Sequence, residues 1–233
     1  LLCCRSVSER RRLYLARHGA VSYFGDGQAP GLDDPPLTDE GVAQAKALGR
    51  ALEGVPIDFA AYTGMERTRQ TALLATEPRE LELTLVDGLR EAKTGTFEDI
   101  ETEEEMRDTI VGAFLNAAEP GARFLTGEPF EELWRRVETA WAELLRRDWN
   151  QAFVAAHGVV NRTILAQALG AGPQIYPRLE QDTGCLNVLD IEGRGADARV
   201  AYVRLVNFTP YNSTKAGMQE TTLEMLWRQF VDA

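Results

Sequence analysis

Histidine is scarce in this chain: its 233 residues contain two, His18 and His157. Cysteine is nearly as scarce, at three. Cys3 and Cys4 are neighbours and Cys185 stands alone, which excludes a disulfide framework and any zinc-ligand spacing. A reducing compartment, the cytoplasm, is the expectation. No apolar run approaches the roughly 20 residues that a membrane-crossing helix needs, so no membrane partner is expected. Positive charge is in deficit, with 25 Lys and Arg against 36 Asp and Glu and a formal net charge of −11. That field repels a polyanion and argues against nucleic acid. A small anion remains allowed, because a few arginines at contact distance outweigh a diffuse background.

What is present is ordinary for a globular chain, 44% hydrophobic and 26% charged. The length suits one large α/β domain. Residues 1–11 hold too short an apolar stretch for a signal peptide and are expected to form a flexible leader, with the domain over 12–233. Strand-like runs at 12–16, 57–63, 81–86 and 152–156 alternate with helical periods. Thr38 reads as the N-cap of a helix carrying Val42, Ala45, Leu48 and Leu52 and stopped at Gly54. Further helices are expected after Gly64, from acidic residues 101–105 to about Ala118, and over 129–147, 159–169 and 221–230. In the 129–147 helix Phe130, Leu133, Val137, Trp141 and Leu144 form one apolar stripe. Arg135, Arg136, Arg146 and Arg147 are then its wet face. Residues 186–191 and 200–206 alternate as a hairpin. The Gly-, Pro- and Asp-rich stretch 20–37 reads as a long loop, a length usually tied to function. The pattern predicts an α/β fold, a mostly parallel central sheet with helices on both faces. Ligands bind such sheets at the carboxyl ends of the strands.

Three corners stand at such ends: Arg17-His18-Gly19, Thr63-Gly64 and His157-Gly158. Phosphoryl transfer to a side chain needs a nucleophile, cations matching the phosphate oxygens, and an acid for the leaving oxygen. His18 is the candidate nucleophile, and Arg17 and Arg67 are candidate phosphate ligands with planar forks of donors. His157 offers a further hydrogen bond, and the Gly158 N–H at a helix start is an anion donor. Glu91, in the polar loop after the third strand, is the candidate acid. Each also has a plainer reading. The histidines fit strand-end core positions, Arg67 a solvated helix charge, Glu91 a surface residue between Arg90 and Lys93, and Cys185 a small apolar packer.

Taken together the blocks resemble the histidine phosphatase superfamily, also called phosphoglycerate mutase-like. The resemblance rests on Leu15-Ala16-Arg17-His18-Gly19, on Pro36-Leu37-Thr38 through Ala45, and on Thr63 through Ala72, with Thr63 and Gly64 where the family usually has Ser and Pro. Leu89-Arg90-Glu91 with Gly95 through Glu98, and Val154 through Arg162, complete it. The resemblance implies a phosphohistidine mechanism without metal or organic cofactor, acting on a small phosphorylated substrate. His18 takes the phosphoryl group, Glu91 protonates the departing alcohol, and Arg17, Arg67, His157 and Gly158 hold the phosphate. Phe24 stands where the family often has an asparagine, and Asn161 where an aliphatic residue is usual. Tyr23, Phe24 and Asn161 are accordingly candidate substrate contacts. The arginine pair of bisphosphoglycerate-using mutases is not evident, so a phosphatase is favoured. A mutase-type phosphoryl transferase and a non-catalytic phosphate-binding module are the alternatives. The sequence carries no signal of oligomeric state.

Overall fold

Strand β1 (Arg11–Arg17) is apolar on both faces because it is covered on both. Leu13 and Leu15 point into one core, and Tyr14 and Ala16 into the other. Strand β4 (Gln151–Ala156) repeats the pattern, with Ala152, Val154 and Ala156 on the first side and Phe153 and Ala155 on the second. The computed structural model describes residues 10–23, 34–95, 100 and 102–232. Within them a six-stranded sheet runs β3-β2-β4-β1-β5-β6. Strands β2 (Phe59–Tyr62) and β3 (Leu83–Leu85) lie parallel to β4 and β1, whereas β5 (Leu186–Glu192) and β6 (Arg199–Phe208) form an antiparallel hairpin beside β1. The sheet is therefore mixed and mostly parallel, as the alternation of strands and helices predicts.

Helices α1 (Asp39–Ala51) and α2 (Glu66–Thr76) cover one face with Leu48, Ala72 and Ala75. Helices α4 (Phe130–Arg146) and α5 (Gly158–Ala168) cover the other. The predicted stripe Phe130, Leu133, Val137, Trp141 and Leu144 is buried there. Helix α3 (Glu103–Val111) packs against the C-terminal helix α6 (Thr222–Val231). Thr38 caps α1, accepting a hydrogen bond from Gly41 N at 3.1 Å.

Two boundaries differ from the sequence reading for identifiable reasons. Strand β1 starts at Arg11, inside the stretch read as leader. Its guanidinium stacks 4.2 Å from the Trp149 ring and donates to the carbonyls of Leu145 and Arg147 at the end of α4. Helix α3 ends at Val111, well short of Ala118, because Gly112 caps it and donates to Asp108 O at 2.8 Å. Turns follow, and they tuck Phe114 and Ala117 into the core.

Order β2-β4-β1 places three parallel strands side by side, so their carboxyl ends form one continuous rim. The turn after β1 is pressed against α1. A Cβ on Gly19 would collide with the Gly41 backbone, and one on Gly41 with the Ala20 backbone. Gly19 N donates to Thr71 Oγ1 and Ala20 N to Gln44 Oε1. Gly41→Ala should cost about 1–3 kcal/mol, the usual penalty of overpacking a close contact. Denaturant unfolding of the variant checks this value.

Candidate active site

His18 leaves β1 next to His157 leaving β4, since Arg17 is in register with Ala156. The two imidazole centroids stand 5.4 Å apart, and both rings are buried. His18 Nδ1 lies 2.8 Å from Gly19 O. A carbonyl only accepts, so Nδ1 carries the hydrogen and the neutral ring keeps its lone pair on Nε2. Burial, then the charges of Arg67 and Arg17, hold the His18 imidazole well below its ordinary range. It stays neutral and nucleophilic in mildly acidic solution.

His157 is held by a residue that sequence reading used only as a corner marker. Its Nε2 lies 2.6 Å from Thr63 Oγ1 at the end of β2. The Thr68 hydroxyl donates to Met65 O at 2.7 Å, leaving the Thr63 proton to choose between Thr68 Oγ1 at 3.2 Å and His157 Nε2. With Nε2 as acceptor the Thr63 proton points to the imidazole and Nδ1 carries the hydrogen; with Nε2–H as donor the Thr63 proton goes to Thr68 and Nδ1 is bare. His157 Nδ1 is buried without a protein partner, as a donor reserved for a ligand would be. Burial, followed by the Arg67 charge, holds this ring too well below its ordinary range.

The arginines approach from different elements. Arg17 Nη1 donates to Gln181 O at 2.6 Å, and its guanidinium stands over Gly158 at the start of α5. Arg67, in the first turn of α2, is buried and reaches Asp34 Oδ1 at 3.3 Å. Asp34 also accepts from Glu66 N, tying the loop before α1 to the start of α2. A third guanidinium, that of the buried Arg162, donates to Gly158 O at 3.2 Å and pairs with Glu180 at 3.1 Å. Burial pushes the Cys185 thiol beneath them up to about 12.

A cavity of about 630 Å³ opens on this rim. Arg17, Arg67, Gly158, Glu91 and Tyr23 line it, and the two imidazoles lie behind this wall. Glu91 Oε1 accepts from Ala92 N at 3.1 Å, and Oε2 lies 3.4 Å from Val159 N, so the carboxyl sits over the N-terminal turn of α5. Arg136 fixes the loop that carries it, donating to Gly88 O and Arg90 O and pairing with Glu128 at 2.7 Å. Arg136 is thus no part of a merely wet helix face. Tyr23 stands 6.0 Å from the Arg67 guanidinium. Asn161, expected as a substrate contact, is fully buried, turns its amide N–H to Gln181 Oε1 at 3.1 Å, and is not part of the cavity wall. Phe24 and Glu98 lie outside the described residues. Among the described residues no group of three His, Cys, Asp or Glu side chains is arranged to hold a metal ion, and no helix is long and apolar enough to cross a membrane.

The model of the histidine phosphatase superfamily (branch 1) matches residues 13–203. The chain belongs to the histidine phosphatase superfamily. It is 30% identical over 217 residues to a probable 2-carboxy-D-arabinitol-1-phosphatase of Arabidopsis thaliana, covering 91% of this chain and 44% of the relative. It is 28% identical over 198 residues to the adenosylcobalamin/alpha-ribazole phosphatase of Escherichia coli K12, covering 84% of this chain and 97% of the relative. The crystal structure of the alpha-ribazole phosphatase from Shigella flexneri matches with a TM-score of 0.65 at 25% identity, over 84% of this chain and 96% of that one. The chain spans 44% of the length of the Arabidopsis thaliana relative and 38% of that of a 2-carboxy-D-arabinitol-1-phosphatase of Triticum aestivum, less than half of each.

With two histidines in the chain, their ionisation is directly observable. ¹⁵N NMR should find both rings neutral well below pH 6.5, His18 protonated on Nδ1 with Nε2 bare, and His157 likewise an Nδ1–H tautomer. Thr63→Val should shift the His157 tautomer signal and Thr63→Ser restore it. Because unfolded imidazoles take up protons near pH 6.5 and the folded ones resist, the unfolded state binds more protons below that value. Stability contributed by the neutral rings should therefore be intact above about pH 6.5 and fall as the solution is acidified, which thermal unfolding across pH reads out.

Proposed function

We propose that this chain is a phosphatase that hydrolyses phosphomonoesters of a small metabolite through a phosphohistidine on His18. The observation that carries the reading is the Nδ1–H bond from His18 to Gly19 O, which leaves a bare Nε2 lone pair among the Arg17, Arg67 and His157 donors. Superfamily membership and the phosphatase names of the relatives support it. A reducing cytoplasm suits the buried free thiol of Cys185.

In this reading His18 Nε2 attacks phosphorus as the bond to the alcohol oxygen breaks, and Glu91 gives its proton to that oxygen. The Glu91 carboxylate then takes a proton from water, whose oxygen attacks the phosphohistidine, releasing phosphate and restoring the bare imidazole. Arg17, Arg67, His157 Nδ1–H and the Gly158 N–H bear the negative charge that grows on the phosphoryl oxygens, and they are in place beforehand.

His18→Ala should abolish turnover and the acid-labile phosphoenzyme seen after rapid quench with labelled substrate. Near-normal turnover in that variant would remove the covalent mechanism. Arg67→Ala should lose roughly 3–4 kcal/mol of transition-state stabilisation, and Arg67→Lys should recover only part, since an ammonium lacks the fork. Glu91→Gln should harm alkyl phosphates far more than p-nitrophenyl phosphate, whose leaving group needs little protonation. Equal losses on both would take the acid role away from Glu91.

A further inference from the structure

The cavity has two unlike ends. Arg17, Arg67 and Gly158 make one of them. Much of the remaining wall is hydrocarbon, built from Phe114, Phe124 and Val159 with Leu223 and Leu226 of α6, and Arg90, Glu91, Lys93 and Arg162 line it as well. A group covering only phosphate and a short polar alcohol would leave this second end bare. Of the other cations on the wall, Arg162 lies over the Phe114 ring and is committed to Glu180 and Gly158 O, Arg90 reaches Asp87 and Gly64 O, and Lys93 follows Glu91 in the same loop. The nearest hydroxyl from α6 is already committed, as Thr222 Oγ1 donates to Glu180 Oε1 at 2.8 Å. Glu180 in turn pairs with Arg162, and Arg162 donates to Gly158 O. The apolar wall is thereby tied by three consecutive hydrogen-bonded contacts to the end that takes the phosphate.

Helix α6 is built to present such a wall. Thr221 and Glu224 form a reciprocal capping box, and the helix packs on α3. None of its side chains is fully buried, although Leu223, Leu226, Trp227 and Phe230 are all large and apolar. An amphipathic helix whose apolar residues remain half-covered has surface left for another group.

We propose that this second end is a subsite for a bulky apolar group, so that the substrates are phosphomonoesters whose alcohol carries a ring system or comparable hydrocarbon. The proposal rests on the phosphatase reading above and narrows it. Discrimination comes from burial of the hydrocarbon against α6 and Phe114, and against small polar alcohols it comes from the water they would leave trapped on an apolar wall.

The test compares kcat/KM for ethyl phosphate, glycerol 3-phosphate and 2-(1-naphthyl)ethyl phosphate. All three release a primary alcohol, so differences read the subsite and not the leaving group. The naphthyl ester should be favoured about tenfold or more over the ethyl ester, as burial of added hydrocarbon in a fitted pocket gives. Leu226→Glu and the milder Leu223→Gln should each cut that preference severalfold, with circular dichroism checking that the helix remains. Calorimetry with ethylphosphonate and 2-(1-naphthyl)ethylphosphonate should show the same order in affinity. Equal rates for the three esters, a preference for glycerol 3-phosphate, or a naphthyl preference undiminished in both variants would overturn the subsite while leaving the phosphatase intact. If no ester is turned over, the phosphatase reading fails, and the phosphonates decide the subsite alone: tighter naphthyl binding supports it and equal affinities overturn it.

Discussion

The site depends on keeping three guanidinium groups close together in a buried place. Arg17, Arg67 and Arg162 would repel one another and pay heavily for lost hydration if left bare. Each is instead held by a fixed acceptor: Gln181 O for Arg17, Asp34 for Arg67, and Glu180 with Gly158 O for Arg162. The resulting positive potential stands ready before any anion arrives. It also decides the chemistry of the two imidazoles between the arginines, which are kept uncharged by burial and by their neighbours together. A protonated His18 would be another cation and no nucleophile.

The backbone makes this crowding possible. Strands β2, β4 and β1 are parallel neighbours, so Thr63, His157 and His18 emerge within one rim and need no long loops to meet. The Gly19–Gly41 contact then sets where the chain goes after His18, and it directs the Gly19 carbonyl onto the ring it follows. The choice of imidazole tautomer therefore reaches back to backbone packing between a turn and a helix.

Much of this was legible in the amino-acid order, and the reasons are physical. A buried parallel strand is a run of apolar residues, and a sharp exit from it needs glycine, so the two His-Gly corners stand out. Thr38 and the α4 stripe obey local rules of capping and period. Contacts that depend on distant partners left no local mark. Arg136 looks like its neighbour Arg135 in sequence, yet the carbonyl it holds at Gly88 is 48 residues away. Asp34 finds Arg67 33 positions on, and Glu180 meets Thr222 after 42. Asn161 stands one turn after His157, where the sequence suggests a ligand contact, and its buried amide N–H meets Gln181, 20 positions on, which left no local mark either. Arg11 read as part of a charged tail because its aromatic partner, Trp149, lies at the far end of α4.

Helix α6 reaches the cavity from the far end of the chain. The family model matches residues 13–203, and α6 begins at Thr222. The apolar wall thus draws Phe114, Phe124 and Val159 from the matched stretch and Leu223 and Leu226 from beyond it, the latter joined to the site through Thr222 and Glu180. Leucines on a half-covered helix can be exchanged one by one without disturbing a buried arginine or either imidazole.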